Sequence, residues 1–422
     1  MKIIYIITFP PAYHIKNADI KPDHYWTSQM NEMIGVWRRD RGHAFARDVK
    51  RLYPEIDYEV WRPDYRAKKE LVHRFEDGVV HRTFPARKRV SFFGLKPIRI
   101  CYSRSLILKL EESARQAQDT RDVVIHLPVD YSHFGYLILK RFHGRLPFLH
   151  TSHLAPEALS VDLKTKNIFK YLHRRFIQRR KNRHKKMLGE IAVAKDRIEY
   201  FKKETGSPVH LINSLNQFDF EWAKNKPSRE EARKRLSLPA SRFILFSSSR
   251  LIPEKQVDRL LHVLASLKHH DYLYIISGNG TLEYEEYLKK MSTELELSDK
   301  VVYSGYLDDQ LLDHYCAADA FIYTSWNEGG PGAGVKALAL EVPVIATNTG
   351  IVHYLLKEKK AGLILEKDRP ETWAGRIEEV MNGLKIQVID SQQLEKEYGL
   401  KQFTRRLVDL YGITAKNFYL DA

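Results

Sequence analysis

Residues 327–350 read NEGGPGAGVKALALEVPVIATNTG. Glu328 stands directly before a glycine-rich loop from Gly329 to Gly334, and an alanine- and leucine-rich helical pattern follows. A strand pattern ends at Ser325, so the order is strand, acid, flexible backbone, helix start. Free amides at the start of a helix offer a site to phosphate or sugar oxygens. The same glycines also suit a tight strand-to-helix connection where no Cβ fits, and composition alone leaves both readings open. Two better-known glycine motifs are excluded. Gly329 and Gly334 have P-loop spacing, but Val335-Lys336-Ala337 follows where Lys and then Ser or Thr would be needed. A dinucleotide fingerprint follows the first strand of its domain, whereas this loop follows the fourth.

Other groups able to do chemistry also fall at strand ends. Arg250 comes just after FILFSSS, and Lys255 opens the next helical pattern. His126 lies in VVIHLP and His133 shortly beyond it, both expected near the edge of a cleft. No paired-aspartate pattern suggests a metal. Cys101 and Cys316 are far apart and match no zinc or disulfide spacing, which reads as two reduced, buried thiols of a cytosolic protein.

Elements must position these groups. KIIYIIT, DYEVWRP, GVVHRTF, DVVIHLP, PFLHTSH, EIAVAK and VHLINS read as short apolar strands, with helical patterns at 26–51, 103–117 and through GYLILKRF. The rhythm restarts with FILFSSS, YLYIISGNG, KVVYSGY, AFIYTS and VPVIATN, again alternating with helices, and from Pro370 on the pattern is helical. Such alternation implies βαβ units and doubly wound parallel sheets. The expectation is two Rossmann-like α/β domains facing a cleft: an N-terminal domain over 1–215, a polar linker over 216–234, a second domain over 235–400 and a C-terminal helical segment over 401–422. In open parallel sheets, ligands sit beyond the carboxyl ends of the strands.

The same stretches, in order, resemble the family-4 retaining glycosyltransferases of GT-B fold. Glu328, Gly329, Ala337, Ala339 and Pro343–Ala346 fall in register on that family's signature. SSRLIPEKQVDRLL resembles its donor-phosphate motif, SGNG at 277–280 its glycine turn, and VVYSGYL the segment that reads the nucleobase. INSLN at 212–216, RGHAF, DVVIHLP and PFLHTSH match further landmarks. The resemblance implies a nucleotide-diphospho-sugar donor bound by the second domain and an acceptor bound by the first. It implies C-terminal helices packing back toward the N-terminal domain. It makes Glu328, His153, Arg250 and Lys255 the catalytic set. Gly278, Asn279, Tyr306, Leu307, Gly329, Gly330 and Lys336 become donor-binding residues, and His126 and His133 face the acceptor.

Arg250, Lys255 and the loop amides would stabilise charge on the leaving diphosphate, so neither a metal nor another cofactor is required. Glu328 would accept hydrogen bonds from donor-sugar hydroxyls, with retention through same-face attack and the donor phosphate as base.

The sequence departs from the family at Lys336, where a second acid is expected eight residues after Glu328. Three readings stay open: an extra diphosphate contact, an exposed helix residue with the ribose held elsewhere, or a sign of lost or altered activity. FPPAYH replaces the glycine pair after the first strand, which leaves the acceptor unspecified. Ser214, Asn216 and Glu341 are smaller departures.

Charge is unevenly placed. Residues 1–213 carry 42 Lys/Arg against 23 Asp/Glu, and residues 214–422 carry 27 against 30, so the basic excess belongs to the first half. Much of it sits in KTKNIFKYLHRRFIQRRKNRHKKML at 164–188, with 11 Lys/Arg and no acid. Its apolar residues recur at helical spacing, and Lys170, Arg174, Arg175, Phe176, Arg179 and Arg180 would face an anionic membrane surface. The alternative is a helix packed on its own domain with solvated charges. Nucleic acid is not expected, since aromatic platforms are missing. The N-terminus reads as a first strand rather than a signal peptide, and no stretch approaches the roughly 18 uncharged apolar residues of a membrane span.

These observations predict a cytoplasmic protein, peripheral on the cytoplasmic membrane face. It would move a sugar to a lipid-linked or other cell-envelope glycan. The alternatives are a soluble transferase with a small polar acceptor and a catalytically weak GT-B module that binds nucleotide or glycan.

Overall fold

A computed structural model describes residues 1–8, 41–93, 96–128, 133–152, 189–192, 209–211, 220–307, 309–328 and 332–420. The chain divides into two compact units, Met1–Ile212 with Phe403–Ala422, and Asn213–Gln402.

In chain order the first unit contains β1 (Lys2–Ile6), α1 (Arg41–Leu52), β2 (Asp57–Asp64), β3 (Leu71–Arg74), β4 (Val80–Pro85), β5 (Arg87–Phe93), β6 (Lys96–Tyr102) and α2 (Arg104–Thr120). It continues with β7 (Val123–Leu127), α3 (His133–Phe142), β8 (Phe148–Ser152), β9 (Gly189–Ala192) and β10 (Val209–Leu211). Among the described residues, eight strands form one sheet in the order β10-β9-β8-β7-β1-β2-β4-β3. All pairings are parallel except the edge pair β3–β4. β1 is central and buried because KIIYI is apolar on both faces. The side chain of Ser103 caps α2 by accepting from the Leu106 amide, and Leu106, Leu110, Ala114 and Ala117 bury one stripe of that helix.

Two features of this unit lie outside the strand–helix alternation read from sequence. β3 turns back through Asp77-Gly78 onto β4, and β5 and β6 form a separate antiparallel hairpin. Both are short, charged stretches in which no long apolar run marks a strand.

The second unit contains α4 (Phe220–Lys224), α5 (Arg229–Arg235), β11 (Phe243–Ser248), α6 (Val257–Ser266), β12 (Tyr272–Ser277), α7 (Leu282–Glu294), β13 (Val301–Gly305), α8 (Leu311–Ala317) and β14 (Ala320–Tyr323). It ends with α9 (Gly332–Ala339), β15 (Val344–Thr347), α10 (Gly350–Glu358), β16 (Leu363–Leu365), α11 (Trp373–Met381) and α12 (Ser391–Tyr398), before α13 (Leu400–Leu420). Its sheet is wholly parallel, in the order β13-β12-β11-β14-β15-β16. Helices cover both faces: Phe321 and Tyr323 point into one core, Ala320 and Ile322 into the other.

The described part of the expected linker is not a polar spacer. Ser228 and Glu231 form a capping box that starts α5, and Phe220, Ala223 and Ala232 are buried in the second unit's core. Charged residues fill the outer faces of these two short helices, so the segment reads as polar while its few apolar side chains still anchor it. At the far end, Phe403, Leu407, Leu410 and Tyr411 of α13 recur at helical spacing and pack with Phe45, Val49 and Tyr58 of the first unit.

Candidate functional site

In the second unit the strand order reverses between β11 and β14, which both lie inside the sheet. A doubly wound sheet opens a crevice at the carboxyl ends of two such strands, because their following connections depart to opposite sides. A cavity of about 240 Å³ lies there, bounded by Ser248, Ser249, Arg250 and Lys255 after β11 and by Ser325, Glu328 and Gly332–Gly334 after β14, with Phe321 and Tyr323 beneath.

Each wall is fixed by hydrogen bonds between loops. The Ser249 amide donates to Ser277 O (2.9 Å) and the Leu251 amide to Asn279 O (3.0 Å), so the segment carrying Arg250 lies against the turn after β12. Gly278 permits this approach. Its φ is +129°, and an added Cβ would stand 1.7 Å from Ser249 O. Arg250 itself is exposed.

Lys255 ends a short 3-10 turn, Pro253–Lys255. Thr324 Oγ1 donates to the carbonyls of Lys255 and Gln256 (3.1 and 3.2 Å), and the Trp326 amide donates to Glu254 O (2.9 Å). These bonds bring the turn beside the end of β14. Lys255 Nζ then forms an ion pair with Glu328 Oε1, the two side chains being 17% and 13% exposed. Ser325 Oγ donates to the same oxygen (2.8 Å), the Glu328 amide donates to Thr349 Oγ1 (3.0 Å), and Thr347 Oγ1 donates to Ser325 O (2.7 Å). Glu328 is therefore positioned from three loops at once. Burial first, and then the charge of Glu328, push the Tyr323 phenol well above its ordinary range, so it stays neutral.

The structure also bears on the two glycine readings. An added Cβ at Gly334 would stand 3.0 Å from Val352 Cγ2 and 3.2 Å from Tyr323 Cε1, so this glycine serves tight packing of α9 on β14. Gly332, a cavity residue, has nothing within 4 Å of that position and faces open space. Gly329 and Gly330 lie outside the described residues.

Of the residues expected from sequence, Arg250, Lys255 and Glu328 meet in the cavity. Gly278 and Asn279 abut its Arg250 wall. Tyr306, just past β13, is 72% exposed, while Leu307 packs partly against the core. Lys336 sits half-buried on α9 and does not line the cavity, so the reading of an exposed helix residue is corrected.

His126 is a second correction. It is fully buried within β7, its Nδ1 2.7 Å from Tyr411 Oη and its Nε2 2.6 Å from Thr151 Oγ1, with Tyr5 edge-on and Phe45 stacked. A histidine on a strand covered on both faces joins the core, and this one faces no ligand. His133 begins α3, and its side chain lies outside the described residues. So do His153 and the stretch with Lys170, Arg174, Arg175, Phe176, Arg179 and Arg180.

Sequence reasoning missed the hydroxyl groups that hold Glu328: Ser325, Thr347 and Thr349. The available signal was that both β14 and β15 end in hydroxyl-bearing residues, in Tyr323-Thr324-Ser325 and Thr347-Asn348-Thr349. Chemically, the cavity offers two cations, a carboxylate with a fixed orientation and serine hydroxyls. That set suits a polyanion joined to a polyhydroxyl group.

Comparison with known proteins gives a consistent picture. Residues 228–396 match the family model described as glycosyl transferases group 1. TuaC of Bacillus subtilis (strain 168), named as a glycosyltransferase of teichuronic acid biosynthesis, is 31% identical over 150 residues, 34% of this chain and 36% of that protein. The alpha-monoglucosyldiacylglycerol synthase of Streptococcus pneumoniae is 25% identical over 362 residues, 83% of this chain and 76% of its own. Among solved structures, Anabaena HepE in complex with UDP superposes with a TM-score of 0.64 at 16% identity, covering 98% of this chain and 100% of its own.

Proposed function

We propose that the protein, whose residues 228–396 match the family model of group 1 glycosyl transferases and whose chain has the GT-B fold, moves a sugar from a nucleotide-diphosphate sugar to an acceptor. The observation that carries this reading is the joining of Lys255 to Glu328, beside Arg250, at the switch point of the second sheet. Arg250 and Lys255 would bind the donor diphosphate and stabilise the charge that grows on it as the glycosidic bond breaks. Glu328 would accept hydrogen bonds from sugar hydroxyls and balance positive charge at the anomeric carbon.

At about 240 Å³ the cavity is smaller than the roughly 300–1,000 Å³ of a whole-ligand pocket. It would hold the diphosphate and sugar, with the nucleoside extending along the neighbouring strand ends past Asn279 toward the exposed ring of Tyr306. Lys336 would add a donor on the nucleotide side, where relatives place an acceptor. Transfer with retention and without a metal completes the reading, since Arg250 and Lys255 would both meet the diphosphate.

The acceptor we propose is a lipid-linked or other cell-envelope glycan, reached from the cytoplasmic face of the membrane. Its support is the cationic stretch 164–188, with apolar residues at helical spacing, and the names of the two curated relatives, one of teichuronic acid biosynthesis and one a synthase of a glucosylated diacylglycerol. A catalytically weak binding module is the second reading, and Lys336 is the feature that favours it.

A panel of nucleotide sugars, assayed for released nucleoside diphosphate with excess chelator and with or without lipid-linked acceptors, tests the proposal. Turnover that survives the chelator and retains anomeric configuration is expected. Nucleotide binding without turnover on any acceptor would favour the weak module.

A further inference from the structure

α6 ends at Ser266, and the chain turns through His269 and His270 into β12. Both imidazoles converge on one atom. His269 Nε2 lies 3.1 Å and His270 Nε2 2.9 Å from Oε1 of Glu378, which stands more than a hundred positions later on α11. The ring centroids are 4.2 Å apart, with the planes tilted by 45°. Neighbouring side chains in an extended chain point to opposite sides, so two adjacent histidines aimed at one carboxylate oxygen need a specific turn. Among the described residues, this is the cluster in which three such side chains bring their ligating atoms within 4.8 Å of one another.

The donor set is two imidazole nitrogens and one carboxylate oxygen. That combination suits Zn²⁺, Co²⁺ or Ni²⁺, whereas Ca²⁺ and Mg²⁺ select shells of oxygen. With metal–ligand bonds of about 2.0–2.2 Å, neighbouring donors of a tetrahedral or octahedral shell stand roughly 2.8–3.6 Å apart. Both nitrogen–oxygen separations fall within that range.

The supporting elements are already fixed together. Leu260, Leu264 and Leu267 of α6 and its turn share a core with Trp373, Ile377 and Val380 of α11. Lys300, which reaches the same turn, donates to the His270 carbonyl (2.9 Å) and lies over the Tyr272 ring, so its ammonium is directed to other partners. His269 is largely exposed and Glu378 partly so, which gives an ion access and lets water complete its shell.

We propose that His269, His270 and Glu378 form a divalent transition-metal site that staples the α6–β12 turn to α11. Lys255 precedes the opposite end of α6. Ten residues of helix separate the two by roughly 15 Å, so the staple acts on stability and not on sugar transfer.

The test uses the full chain without an affinity tag, stripped with chelator and titrated with ZnCl₂ and, for its spectrum, CoCl₂. One equivalent is expected to bind at this site, raising the melting temperature, with Co²⁺ absorption typical of nitrogen and oxygen ligands. His269→Ala/His270→Ala is expected to weaken this binding at least about tenfold, since even the loss of an outer-shell partner costs that much. His269→Gln keeps a hydrogen-bond donor toward Glu378 without an imidazole, so it separates loss of the ion from loss of the corner. It should melt like wild type in chelator yet gain less from Zn²⁺. Equal Zn²⁺ affinity in wild type and the double variant would overturn the proposal, as would a Zn²⁺-induced melting shift that His269→Gln leaves unchanged.

Discussion

Glu328 and Lys255 each supply what the other needs. A partly buried carboxylate requires donors, and it receives an ammonium and the Ser325 hydroxyl on one oxygen. Glu328→Gln keeps the shape but removes the charge that balances Lys255 and would balance an electron-poor anomeric carbon. We expect kcat/KM to fall by roughly 10²–10³. A loss under tenfold, in a steady-state assay with the preferred donor, would remove Glu328 from the chemistry. Arg250, Lys255 and Glu328 were legible in the sequence because each lies in the segment between a strand and the helix after it. The hydroxyls behind Glu328 were not, since Ser and Thr are common at strand ends and only the register of β14 against β15 brings Thr347 to the Ser325 carbonyl and Thr349 to the Glu328 amide. His126 misled for a related reason: position along a strand says nothing about which face is covered.

Among the elements, β2 carries a titratable core group that makes the first unit acid-sensitive. Burial alone would raise the pKa of Glu59, but hydrogen bonds from Arg82 and Trp61, with the charges of Lys2 and Arg82, hold it below the ordinary carboxyl range. Its stabilising contribution is therefore complete above the unfolded value of about 4.3 and is lost as pH falls through the lower native value. Urea titrations at successive pH values should show Glu59→Gln less stable than wild type at neutrality and converging with it in acid. Parallel curves would refute the assignment.

In the second unit, Arg233 is buried, with Asp319 (2.6 Å) and the carbonyls of Ala317 and Ala240 around it, and Asp319 also accepts from the Ile244 amide (2.7 Å). Arg233→Met should cost about 3 kcal/mol in urea unfolding by leaving Asp319 without its buried partner. Arg229→Ala, at the exposed side of the same carboxylate, should cost less than about 1 kcal/mol. Losses of similar size would mean the buried network does not hold α5 in place. The long apolar strands were readable from composition, whereas β3, the β5–β6 hairpin and the two helices in the expected linker were not. Their apolar residues are few, and long-range packing decides their state.

For the molecule as a whole, two parallel sheets followed directly from the repeated strand–helix rhythm, because a parallel pair needs a crossover helix. Strand order did not follow. The sequence does not state that β11 and β14 are neighbours, and that adjacency creates the site. The charge imbalance between the halves belongs to partners rather than to folding. Among the described residues no helix is long and apolar enough to cross a membrane. If residues 164–188 dock on an anionic leaflet, co-sedimentation with phosphatidylglycerol vesicles should exceed that with phosphatidylcholine and fall steeply between low and high salt. Equal pelleting with both would contradict docking of this stretch on an anionic leaflet.

The central claim is that the cavity between the ends of β11 and β14 binds the diphosphate of a nucleotide sugar. Its most direct test is the melting temperature of wild type and Arg250→Ala across a panel of nucleoside diphosphates. At a ligand concentration of 100 Kd, binding adds about 2.7 kcal/mol of stability, a shift of several degrees. At least one nucleotide should produce that shift in wild type, and Arg250→Ala should abolish it while melting normally by itself. No shift with any nucleotide, or an undiminished shift in Arg250→Ala, would contradict the account.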